Sequence, residues 1–173
     1  MSDDALPPEI AALIGVPQYE AAPRVTVNTG NVRAMCAAAG NANPAWWDAD
    51  QSKALLGAAF APPSMLPAWG RPDLWEPGRP VSEKALQAHF DLKDLLGYEA
   101  SVAVSYTTSF YAAAEFGDQF HTRQIMREVG PIKTTRLGTG RFWTVEMEYL
   151  DTLGEVAGVE SYVFFGFAKD TAA

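Results

Sequence analysis

The chain divides by hydrophobic period. Up to about residue 98 apolar positions recur at helical spacing or in short patches; from residue 99 they alternate with polar ones. Val32, Met35, Cys36 and Ala39 fall at i, i+3, i+4 and i+7, which predicts one amphipathic helix ended by Gly40 and capped by Thr29 or Asn31. Asp48 suits the cap of a second helix over 49–56, closed by Gly57. A helix starting near Pro63 is expected to kink or stop at Pro67, and another is expected over about 82–96. Between them, Pro72, Pro77 and Pro80 with Gly70 and Gly78 preclude a regular element.

In the second half, Val102, Val104 and Tyr106 alternate with Ser101, Ser105 and Thr107. Trp143, Val145, Met147 and Tyr149 alternate with Thr144, Glu146 and Glu148. Such a period of two predicts antiparallel strands with one wet face. The last strand, 156–167, carries Val163, Phe164, Phe165 and Phe167 and is apolar on both faces, so it is expected at the centre of a sheet or at a subunit interface. Residues 24–28 alternate as one earlier strand. Residues 1–23, with four prolines, read as an irregular N-terminal arm holding one helical turn, and 24–173 as a single domain. One strand, then helices, then about four long antiparallel strands makes an α+β domain.

Composition narrows the partners. A formal charge of −8 disfavours nucleic acid and anionic membranes. No apolar run is long enough to span a bilayer, and the start is acidic rather than basic. A single cysteine, Cys36, precludes internal disulfides and suits a reducing cytoplasm. Against that charge, segment 121–141 carries Arg123, Arg127, Lys133, Arg136 and Arg141 with one acid, Glu128. Two readings stay open for it: a solvated or interfacial salt-bridged sheet face, or a contact for an anionic ligand.

Candidate chemistry is sparse. His121 follows the turn at Gly117-Asp118 and reads as a surface residue; His89 reads as a solvated helix residue. Neither they nor the scattered carboxylates form a metal-ligand pattern, so no metal is expected. Met65, Trp69 and Trp75 surround the broken helix, and either pack a core or line a wide apolar pocket.

The stretch 40–48, Gly-Asn-Ala-Asn-Pro-Ala-Trp-Trp-Asp, resembles the hydration motif Gly-Asp-x-Asn-Pro-x-His-x-Asp of the MaoC-like, R-specific enoyl-CoA hydratases. Gly40, Asn43, Pro44 and Asp48 match; the catalytic aspartate is Asn41 and the histidine is Trp46. The segment Phe60-Ala61-Pro62-Pro63, the Phe116-Gly117-Asp118 turn and the hairpin from Lys133 to Ala157 extend the resemblance to about 24–168, towards the dehydratase domains of the FAS1-like type. Within the family, residues 61–69, Leu96-Gly97-Tyr98 and 133–140 look most like the MaoC domain of the larger subunit of the heteromeric steroid side-chain enoyl-CoA hydratase. That subunit lacks catalytic residues and pairs with a smaller, catalytic one.

The resemblance implies a hot-dog fold, in which a long antiparallel sheet wraps a central helix, here a broken one. It also implies that Pro63 replaces the glycine whose N–H stabilises the thioester oxyanion, and proline has no N–H. The Asn41 amide and the Trp46 indole cannot perform the acid–base work of hydration. The expected role is thus a non-catalytic subunit bound to a catalytic MaoC-like partner. Acyl-CoA is the implied ligand, with no separate cofactor. Trp46, Trp47, Met65, Trp69, Lys133, Arg136 and Arg141 are the expected substrate-binding residues. The alternatives are a self-sufficient thioesterase or hydratase with a relocated acid at Asp48 or Asp118, and an acyl-CoA binding module without turnover.

Overall fold

In the computed structural model, residues 5–71, 75, 77, 78 and 84–168 are described. Five strands form one antiparallel sheet in the order β1-β3-β4-β5-β2: β1 Pro17–Ala21, β2 Ala100–Phe110, β3 His121–Thr135, β4 Gly138–Leu150 and β5 Val156–Ala168. The helices are α1 Pro8–Ala11, α2 Thr29–Ala39, α3 Pro44–Trp47, α4 Ala49–Leu56, α5 Leu66–Gly70 and α6 Gln87–Leu95, with a 3₁₀ turn at Pro63–Met65.

The alternation in β4 sets the two faces of the sheet. Trp143, Val145, Met147 and Tyr149 are almost fully buried against the helices. Met147 and Tyr149 pack with Val32 and Cys36 of α2, and with Met65, Leu66 and Trp69. Trp143 and Val145 pack with Ile10 of α1 and Ala88 and Leu92 of α6. The outer face carries Arg123, Arg127, Glu146 and Glu148. Arg123 pairs with Glu148 at 2.6 Å, and Arg127 with Glu146 and Glu148 at 2.5 Å. Of the two readings of the basic segment, the salt-bridged sheet face describes these two arginines.

As its double apolar character requires, β5 lies inside the sheet between β4 and β2. The helix 49–56 forms with Asp48 as its cap, and the Asp48 carboxylate accepts from the Asp50 and Gln51 amides.

Four expectations are corrected. Residues 17–21, read as part of an irregular arm, form β1 on β3, and 24–28 lie outside any strand. Val27 is nonetheless fixed by backbone bonds, donating to the Asp118 carbonyl and accepting from the Gly117 amide. The cap of α2 is Asn28, whose side chain accepts from the Asn31 amide. Regular helix begins at Gln87 rather than 82, and residues 82 and 83 lie outside the described ones. In β2 the alternation fails because a bulge at Val104 shifts the register. Val102 therefore shares the outer face with Phe165, and Tyr106 the inner face with Tyr162.

The central helix is short. Proline at its first turn is compatible with helix, so Pro67 falls inside α5, which ends at Gly70. Gly70 lies so close to β4 that a Cβ there would meet Tyr149 Cδ1 at 2.7 Å and Thr122 Cγ2 at 2.8 Å.

Candidate functional site

The 40–48 loop is held by its own polar groups. Gly40 takes the left-handed conformation (φ 62°) that ends α2, and the Asn41 amide closes on the Cys36 carbonyl. The Asn41 side-chain oxygen accepts from the Asn43 amide at 3.0 Å, and Asn43 caps α3 through the Ala45 amide at 3.1 Å. The Trp47 indole N–H donates to the Asn41 carbonyl at 2.6 Å, and Arg33 Nε donates to the Trp47 carbonyl at 2.9 Å. Two backbone amides, from Gln51 and then Asp50, hold the Asp48 carboxyl below the usual range.

Asn41 is thus a turn residue and Asp48 a cap. Trp46 is half-buried against the cluster that contains Met65 and Trp69. Pro63 opens the 3₁₀ turn; its carbonyl accepts from Leu66, and it presents no donor to a ligand.

The expected substrate residues fall into two groups. Trp46, Met65 and Trp69 share one core cluster, where Met65 and Trp69 are buried packing residues; Trp47 is at the surface and Trp75 is exposed. Lys133, Arg136 and Arg141 belong to the β3–β4 hairpin at the other end of β4. That hairpin starts β4 at Gly138, whereas the aromatic group packs on Met147 and Tyr149. Some nine residues of strand, or about 30 Å at roughly 3.3 Å per residue, separate the two. Lys133 and Arg136 are exposed, with Lys133 Nζ 5.7 Å from the Phe142 ring centre beside a 280 Å³ cleft. Arg141 is buried and donates to the Gly130 carbonyl at 2.9 Å.

The two histidines diverge. His121 is exposed, as expected, at an open 540 Å³ groove with Glu20, Arg123, Leu150 and Leu153. His89 is not solvated: it is 4% exposed, with its ring stacked on Phe164 at 3.6 Å. Trp143 Nε1 donates to His89 Nδ1 at 3.2 Å, so Nδ1 is an acceptor; Nε2 lies 3.2 Å from Ser101 Oγ. Burial, followed by the charges of Lys93 and Lys84, pushes His89 down to about 4. Its helix neighbours are mixed in sequence, and the Trp143 and Phe164 rings that bury it come from the distant β4 and β5.

Both candidate relocated acids accept backbone hydrogen bonds. Asp48 caps α4, and Asp118 Oδ2 accepts from the Glu115 amide at 2.8 Å. The group that sequence reasoning missed is Glu160, 1% exposed on the inner face of β5. It accepts from Arg71, Tyr149 and Tyr106, each at 2.5 Å. Burial opposes its ionisation, but these donors, Arg71 foremost, hold it below the usual carboxylate range. Its signal was a lone charge inside an otherwise apolar strand.

Residues 12–158 match the family described as FAS1-like, dehydratase domain region, and the chain belongs to that family. A probable enoyl-CoA hydratase alpha subunit of Thermomonospora curvata is 29% identical over 145 residues, 82% of this chain. The chain spans about half (45%) of that relative's length. Among solved structures, a chain of the ChsH1-ChsH2 complex from Mycobacterium tuberculosis superposes with a TM-score of 0.73 at 22% identity, covering 90% of this chain and 86% of that one. The unliganded R-hydratase PhaJ1 from Pseudomonas aeruginosa superposes at 0.53 with 12% identity, covering 91% and 85%. A chain of the HadBC (3R-hydroxyacyl-ACP dehydratase) complex from M. tuberculosis does so at 0.54 with 16% identity, covering 89% and 97%. The fold is the MaoC-like hot dog, an α+β domain.

Proposed function

We propose that this chain is the non-catalytic subunit of a heteromeric MaoC-type enoyl-CoA hydratase. The observation that carries the reading is the state of the 40–48 loop. Asn41 has its side-chain oxygen committed to Asn43 and its carbonyl to Trp47, and Pro63, which the family resemblance aligns with the oxyanion glycine, has no N–H. Hydration adds water oxygen to Cβ of the 2-enoyl thioester and a proton to Cα, while negative charge passes through the thioester oxygen. No residue of this loop takes or delivers those protons. The acid and base come from a partner that retains the aspartate and histidine, and the product is the 3-hydroxyacyl-CoA.

The similarity to subunits of two-chain complexes supports a partner. A bulky acyl group, of steroid side-chain type, is favoured by a central helix that ends after five residues. Lys133 and Arg136, exposed beside Phe142, suit the phosphates and adenine of CoA. Trp46 and Trp47 fill or flank the vacated acid–base positions.

Co-expression with a MaoC-type chain bearing both catalytic residues tests the reading. A stable complex that hydrates bulky 2-enoyl-CoA thioesters, from a chain inactive alone, supports it. Equal activity by the lone chain, or no complex with such a chain, rejects it.

A further inference from the structure

Buried polar atoms are almost always hydrogen-bonded, and an exception calls for a reason. Among the described residues, two buried side-chain atoms have no partner: Gln18 Nε2, on β1 at the margin of the sheet, and Trp69 Nε1, in the short central helix α5. Trp69 is 0% exposed. The other fully buried indole, Trp143, donates to His89 Nδ1, and Trp47 at the surface donates to the Asn41 carbonyl. Trp69 thus holds a dehydrated donor inside a core that a phenylalanine would fill with no such cost.

The surroundings define what this donor takes. An indole N–H only donates, so its partner is an acceptor. The cluster around it is aliphatic, aromatic and sulfur-bearing; its one hydroxyl, on Tyr149, is bonded to Glu160. Arg71, two residues further on, is paired with the same carboxylate. An anionic acceptor would therefore be buried without a counter-charge, whereas a neutral oxygen pays no such penalty.

The same cluster is the part of the core best able to make room. Met65 and Met147 are unbranched and repack at low cost. Trp46, only half-buried, covers the cluster from the 40–48 loop.

We propose that Trp69 Nε1 is the donor that recognises a neutral oxygen on the apolar body of a ligand, which enters by displacing Trp46 and repacking Met65 and Met147. The ligand class is a bulky hydrocarbon group bearing a ketone or a hydroxyl. In the heteromer this group is the acyl part of the thioester, so the inference rests on that reading and adds the feature by which the acyl group is selected. The indole is already out of water in the free chain, so the bond forms without the desolvation of the donor that ordinarily offsets it. An acyl group with a methylene in place of the oxygen fills the same space and leaves the donor unpaired.

The test uses the full chain, isotope-labelled at its indole nitrogens, alone and with a co-expressed MaoC-type chain that retains aspartate and histidine. The probes are a bicyclic saturated acyl-CoA carrying a ring ketone, the same thioester with a methylene at that carbon, and the free bicyclic ketone without CoA. We expect the ketone thioester to bind about 10-fold more tightly than its deoxy counterpart, and Trp69→Phe to remove that preference while leaving deoxy affinity within about threefold. In the wild type, both ketones move the Trp69 indole proton downfield, while those of Trp47 and Trp143, already paired, serve as references. A variant that weakens both thioesters alike has lost packing rather than recognition, and overturns the proposal. So does a wild type that binds the two thioesters equally, or a Trp69 resonance that neither ketone moves; hydration of the 2-enoyl thioesters by the pair would then leave the heteromer standing. Turnover by the lone chain removes the functional reading, and the shift caused by the free ketone still decides the role of Trp69. Should Trp69→Phe fail to fold, the wild-type preference and the indole shift decide it without the variant.

Discussion

The Trp47 indole N–H donates to the Asn41 carbonyl at 2.6 Å, closing the loop where the hydratase motif of the family would carry its aspartate. The bond uses the main chain, and the Asn41 side chain is occupied separately by the Asn43 amide. An amide there is as useful for the turn as a carboxylate, which explains how the motif's backbone persists without its chemistry.

On the proposed reading, restoring the two side chains that differ from the motif is insufficient. The double variant Asn41→Asp, Trp46→His is expected to show no hydration above the wild-type chain in a 2-enoyl-CoA absorbance assay, because Pro63 still offers no oxyanion donor. Loss of one such donor elsewhere costs about 100- to 1,000-fold. Activity in the double variant alone would show that Pro63 is not limiting.

His89 makes the fold acid-sensitive. Its folded value is depressed to about 4 from an ordinary 6.5, so the unfolded chain binds the proton first as pH falls. Stability from this residue is intact above about 6.5 and is lost progressively down to about 4, by about 3 kcal/mol. Lys84 and Lys93 add to the depression and Asp94 opposes it. Urea unfolding at pH 7 and pH 4.5 measures this, and His89→Gln should flatten the difference even though it lowers stability at pH 7.

Gly70 is a contact residue rather than a flexible one. Alanine there gains up to about 1 kcal/mol of helix propensity but drives a Cβ into Tyr149 and Thr122. Overpacking costs about 1–3 kcal/mol, so we expect Gly70→Ala to be net destabilising by about 1 kcal/mol or more in denaturant titration.

Glu160→Gln leaves Arg71 without its counter-charge. Breaking a fully buried pair costs about 3–5 kcal/mol; the Arg71 side chain is 36% exposed, so solvent lowers this to about 2 kcal/mol. Thermal unfolding of the variant checks the figure, and an unchanged midpoint would mean that the tyrosine hydroxyls carry the network without the charge.

Much of the sheet was legible because one apolar face writes itself as alternation: Trp143 to Tyr149 gave both the strand and its buried side. Asp48 and Gly57 likewise marked the ends of α4 through local chemistry. What was hidden depends on distant residues. β1 is short, carries Pro17 and is stabilised by pairing with Gln124 and Ile125, more than a hundred residues away. The bulge at Val104 left the alternation of β2 intact in sequence while turning its faces in space. His89 and Arg71 acquire their partners only when β4 and β5 fold over them. In the site, the loop's turn chemistry was readable from Asn43, Pro44 and Asp48, but not the distance separating the aromatic cluster from Lys133 and Arg136.

The most direct measurement is the loss of enoyl absorbance when the purified chain alone meets a bulky 2-enoyl-CoA, repeated after addition of a motif-bearing MaoC-type chain. The account predicts the buffer rate for the chain alone and turnover only for the pair. Turnover by the lone chain that disappears in Asp48→Asn or Asp118→Asn would contradict it.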